Sequence, residues 1–225
     1  MSQINKKVNI LNLLLPYKKN DIINTLYLRR GFIEESSNIN NSLINKEEIK
    51  SDIYTICDYI IGKTSKINKT KVDDDKIRMT NKRLQLIVYF SYVNYMIKMN
   101  GNKTMFKDKW YAWGSGPVIP DVSFSYDKYK NGEMAPLNNN WEKCILSTDI
   151  KESIDDILKL TNSIKDVKIL KDKACITGGP WEQVYDCNDQ YHDQVITDSS
   201  IYEFYKRSNC QYINKKRVKS KDWID

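Results

Sequence analysis

The run Trp110-Tyr111-Ala112-Trp113-Gly114-Ser115-Gly116-Pro117-Val118-Ile119-Pro120 constrains this chain more than any other. It gathers two of the five tryptophans, two of the eight glycines and two of the five prolines into eleven consecutive residues. An ordinary helix is excluded here, because glycine costs backbone entropy and proline lacks an N–H and clashes with the preceding turn. Two indoles this close also carry too much apolar surface for a disordered linker. The run therefore reads as a rigid turn pinned to a core by aromatic anchors. Trp110 and Trp113 stand three positions apart, so in an extended ribbon their side chains face opposite ways. One indole is expected in the core and the other toward a groove or a partner, and tryptophan and tyrosine are the residues most enriched at interface hot spots.

The segments around this turn read mostly as helices. Thr80 caps the clearest one, in which Leu84, Ile87, Val88, Ser91, Tyr92, Tyr95, Met96 and Met99 keep to one face until Asn100-Gly101 ends it. That stripe marks the central core helix. Before it, Ser51 is the expected cap of a helix carrying Ile53, Ile56, Cys57, Ile60 and Ile61, with Gly62 as its stop and Lys63 to Lys76 as a charged loop. Lys103 to Val118 reads as a short hairpin or extended ribbon entering the tryptophan turn. Val122, Phe124, Tyr126 and Tyr129 suggest a short helix or turn after Pro120. Asp149 and Glu152 resemble a capping box ahead of Ile150, Ile154, Ile157 and Leu158. Gly178-Gly179-Pro180-Trp181 is a second helix start, and a last helix from Thr197 or Asp198 buries Ile201, Phe204 and Tyr205. The expected fold is mainly α with a small β element (α+β), a helical domain whose short hairpin carries the Trp-Gly-Pro motif. It spans 51–207, between an N-terminal arm (1–50) and a basic C-terminal tail (208–225).

The totals narrow the functional classes. A chain of 225 residues that is 40% hydrophobic and 29% charged is long enough to bury a real core. No apolar run reaches the roughly 20 residues a membrane-spanning helix requires. Asn9 and Asn12 interrupt the apolar stretch Val8 to Leu15, so no signal peptide is read and a cytoplasmic, intracellular protein is expected. Five widely spaced cysteines suit reduced thiols better than a disulfide framework, and with no CxxC pair and one histidine, His192, no metal site or cofactor is expected. Imidazole-based catalysis would fall to His192, which sits in a polar loop without chemical context. Asp73-Asp74-Asp75 and Asp155-Asp156 read as a solvated loop and a helix surface. Gly114-Ser115-Gly116-Pro117 fails the dinucleotide-binding pattern because proline interrupts it. In the tail, Lys215, Lys216, Arg217 and Lys219 could neutralise phosphates, which makes a nucleic-acid-binding regulator the alternative reading. The net charge of +7 supports it only weakly, since abundant Asn, Ile and Lys resemble the coding bias of an AT-rich genome.

The order of motifs is similar to that of a known family. Met79-Thr80-Asn81-Lys82-Arg83-Leu84-Gln85 is followed by Ala112-Trp113 with Gly116-Pro117-Val118-Ile119-Pro120. Gly179-Pro180-Trp181-Glu182 comes next, and Ile196-Thr197-Asp198 precedes an aromatic helix. Over roughly residues 51–207 this resembles the Panacea domain, the SocA-like antitoxin or phage-associated protein family. Ser115 stands where members often carry an aromatic. The resemblance implies a mainly helical domain that acts by protein–protein contact, as a non-enzymatic antitoxin that neutralises a toxin or hands it to a protease. A bacterial, mobile-element or large-DNA-virus origin goes with that reading, and the lack of a long apolar run leaves no membrane partner expected. The candidate partner-binding residues are Trp110, Tyr111, Trp113, Ser115, Gly116, Pro117, Val118, Pro120, Pro180 and Trp181.

Overall fold

The computed structural model describes residues 51–129, 134–189 and 193–207. It is mainly helical with one small three-stranded antiparallel sheet, the expected class. The expectations for the arm before Ser51 and for the basic tail lie outside the described residues.

Helix α1 spans Ile53–Asn68, and its cap is Asp52 rather than Ser51: the Asp52 carboxylate accepts from the Thr55 N–H at 3.0 Å. The helix does not stop at Gly62. A Cβ there would lie 2.2 Å from two carbons of the Trp141 indole, so this glycine marks a close approach of an aromatic ring to the helix backbone. The loop expected from Lys63 therefore begins only after Asn68, and it contains one 3₁₀ turn at Asp73–Asp75. On the same helix, buried Asp58 accepts hydrogen bonds from Tyr126 Oη and from the backbone N–H groups of Leu137 and Asn138, which fastens that stretch across the core.

Helix α2, Asn81–Lys98, is the axis of the molecule. Thr80 caps it as expected, accepting from the Arg83 N–H at 3.2 Å, and Asn100 and Gly101, both at positive φ, terminate it. Every residue from Arg83 to Ile97 is buried, so the apolar stripe understated the burial. Around α2 pack α1, the short helix α3 (Pro120–Ser125), α4 (Thr148–Thr161), α5 (Val167–Ala174) and the sheet. Ser147, not Asp149, caps α4 and accepts from the Ile150 N–H. Helix α6 (Pro180–Val184) starts at Gly179 with Pro180 in its first turn, as read from the sequence. The last helix among the described residues, α7, covers 198–207, with Thr197 Oγ1 accepting from the Ser200 N–H. It buries Ile201 and Tyr205, whereas Phe204 is only half-buried.

The sheet order is β2-β1-β3, with β1 at Trp110–Trp113, β2 at Gly116–Val118 and β3 at Val195–Ile196. Tyr111 pairs with Val118 and Trp113 with Gly116, which leaves Gly114 and Ser115 as the hairpin tip. On the other side, Trp110 pairs with Ile196 and Tyr111 with Val195. Gly116 adopts φ +120°, a conformation side chains disfavour, and this fixes a glycine immediately before Pro117.

Candidate functional site

Alternation along β1 sorts its side chains onto two faces. Trp110 and Ala112 point into the core, and Tyr111 and Trp113 point away from it. Trp110 is 1% exposed and meets Tyr89 edge-to-face at 5.2 Å, with Tyr92 and Phe106 each at 5.9 Å. This is the division expected from the spacing of the two tryptophans. Trp113 is half-buried, and its ring lies 6.0 Å from Phe124, which is 69% exposed on α3. Together they form an apolar ledge on the outside of the hairpin.

Three separate segments hold this hairpin in place. From α2, the buried Gln85 amide binds both polar groups of one residue: Nε2 donates to the Ile119 carbonyl at 3.1 Å, and Oε1 accepts from the Ile119 N–H at 3.0 Å. A two-point amide clamp of this kind satisfies backbone groups that burial would otherwise strand. From α6, Trp181 Nε1 donates at 2.9 Å to the carbonyl of Trp113, the last residue of β1. The Trp181 ring stacks on Tyr185 at 4.3 Å with 19° between planes. From α5, Lys171 Nζ donates to the Gly114 carbonyl at 2.7 Å, tethering the tip. The Leu-Gln helix, the Trp-Gly-Pro turn and the Pro-Trp helix start, remote in sequence, thus converge on one strand pair.

The candidate residues divide accordingly. Trp110, Gly116, Pro117, Val118 and Pro180 are buried, and of these Pro117 and Val118 reach the wall of an open cleft. Their burial follows from the pairing of β1 with β2 against α2 and from the packing of the first turn of α6. Ser115 is exposed, and Tyr111, Trp113, Pro120 and Trp181 are half-buried. Phe124 belongs to the ledge, and its pattern carried the signal. Val122 and Tyr126 are buried one helical turn apart, so the residue midway between them must face outward.

A second feature borders the hairpin on its α2 side. A cleft of about 180 Å³ is lined by Asn81, Lys82, Gln85, Leu86, Ser115, Pro117, Val118 and Ser123. Beneath the hairpin on the α5 side, Cys175 Sγ lies 3.7 Å from where a Cβ on Gly116 would sit. Burial pushes the Cys175 thiol up to about 12, so at neutral pH it is protonated and a poor nucleophile.

Asp155 engages Tyr59 and Lys63, and Asp156 engages Lys98, consistent with the reading of that pair as helix surface. Asp73, Asp74 and Asp75 are exposed. Among the described residues no group of three or more His, Cys, Asp or Glu side chains is placed to hold a metal ion, and no helix is long and apolar enough to cross a membrane. His192, Lys215, Lys216, Arg217 and Lys219 lie outside the described residues. No protein-family model, curated protein or solved structure matches the chain.

Proposed function

We propose that the chain is a non-enzymatic, antitoxin-like protein that neutralises a protein partner, or hands it to a protease, by docking it on the outer face of the hairpin. One observation carries this reading: the hairpin is locked from behind by Gln85, Trp181 and Lys171, while Trp113 and Phe124 are left at its surface. A surface already ordered before binding loses little conformational entropy on association, which is what makes an exposed aromatic pair an efficient anchor. The similarity of the motif order to SocA-like antitoxins supports the kind of partner, a toxin, and occlusion of its active surface as the mode of action.

The test is co-expression with the product of the adjacent gene, since a toxin and its antitoxin are usually neighbours. The reading expects that product alone to arrest growth and the full chain to restore it. The chain carrying both Trp113→Ala and Phe124→Ala should fail to restore growth while staying folded, its melting temperature lowered by only a few degrees. Restoration by the doubly substituted chain, or an adjacent product without toxicity, would contradict the reading.

A further inference from the structure

The cleft beside the ledge has an asymmetric lining. Lys82 contributes one cation, Asn81, Gln85, Ser115 and Ser123 contribute polar groups, and no carboxylate takes part. Gln85 is spoken for by Ile119, and the Asn81 amide nitrogen donates to the Ser123 carbonyl at 2.7 Å. The Lys82 ammonium has neither an ion pair nor a hydrogen bond among the described residues, although Lys82 is half-buried. Lys171, the other lysine at the hairpin, is engaged by the Gly114 carbonyl. The cleft lies at the first turn of α2, where the helix dipole adds to the positive potential. A half-buried lysine without a carboxylate partner among the described residues, next to an exposed hydroxyl and an apolar ledge, is complementary to a carboxylate carried on a peptide.

We infer that the partner bound on the Trp113–Phe124 ledge inserts an aspartate or glutamate side chain into this cleft, against Lys82. The inference rests on the docking reading above and names the chemistry of the partner at that site. The ledge supplies apolar contact, and the cleft selects for an acidic segment over a neutral or basic one. Ser115, at the hairpin tip between the two, is positioned to donate a hydrogen bond to the same carboxylate.

Random peptides displayed on phage and selected against the immobilised full-length chain test this directly. The enriched peptides are then synthesised, and their affinities are measured by fluorescence anisotropy. The expected result is enrichment of peptides pairing an acidic residue with a nearby aromatic or aliphatic one. Lys82→Gln should weaken their binding about three- to tenfold, the range of a partly exposed charge-assisted contact. Selection on Lys82→Glu should shift that position to lysine or arginine, with the melting temperature of both Lys82 variants unchanged. Peptides that lose binding with Trp113→Ala and Phe124→Ala but ignore Lys82→Gln would overturn the acidic-segment inference and leave the docking ledge standing. An absence of enrichment over bare matrix, or binding indifferent to all three residues, would overturn both.

Discussion

Trp110 and Trp113 occupy the same four-residue strand, yet they belong to different parts of the molecule. Trp110 is enclosed by Tyr89, Tyr92 and Phe106, whereas Trp113 shares a half-open face with Phe124. The pleat alone makes the difference, since it sends positions of opposite parity to opposite faces. A single aromatic motif can therefore anchor a turn to the core and present a surface with the same few residues. Sharing a motif does not imply sharing a role.

Substitution should separate the two tryptophans more sharply than any other pair. Trp110→Ala is expected to cost about 3–5 kcal/mol in urea denaturation, the range for truncating a fully buried aromatic. Trp113→Ala should cost less, about 1–2 kcal/mol, because its indole is only partly buried. Equal losses would abolish the distinction and assign the whole turn to the core. Next in size is Gln85→Leu, which strands both backbone groups of Ile119 and should cost about 2–3 kcal/mol. Amide exchange at Ile119 should accelerate in that variant, while exchange at the centre of α2 stays slow.

Gly62→Ala should cost about 1–3 kcal/mol, since the new methyl collides with the Trp141 ring and displaces it. A red shift in tryptophan emission would report that displacement. Trp181→Phe keeps the stack on Tyr185 but removes the donor to the Trp113 carbonyl, for an expected loss of about 1 kcal/mol. An effect absent at neutral pH concerns Cys175. Its native thiol keeps its proton up to about 12, against an ordinary value of 9.0. Above pH 9 the unfolded state releases that proton more readily than the native state, so stability contributed by the thiol is complete below pH 9 and is lost as pH rises toward 12. The wild type should thus lose more stability over that window than Cys175→Ala, measured by urea denaturation at each pH.

The fold class, the cap and end of α2, the hairpin and the start of α6 were legible because each rests on local chemistry: a threonine cap, an Asn-Gly stop, a Gly-Pro turn, a Gly-Gly-Pro entry. The errors share a different cause. Gly62 resembles a helix stop until Trp141, 79 positions later, is known to lie on it. Helix α5 has only Leu170 and Ala174 buried across eight residues rich in lysine, too few for a periodic pattern to emerge. Strand β3 is two residues long and exists because β1 offers it a partner. At the site, the Trp-Gly-Pro turn was visible, but its supports and its neighbours were not. Gln85, Lys171 and Lys82 read as an ordinary polar helix residue and two surface lysines until the chain folds.

The account stands on Trp113 being an open contact while Trp110 is sealed. Incorporation of 5-fluorotryptophan, with signals assigned by single Trp→Phe variants, gives each indole its own fluorine resonance, read with a nitroxide cosolute before and after partner binding. The account predicts that Trp113 is broadened by the nitroxide in the free chain and protected in the complex, with Trp110 protected throughout. A Trp113 signal already protected in the free chain, or one still broadened equally after the partner binds, would contradict it.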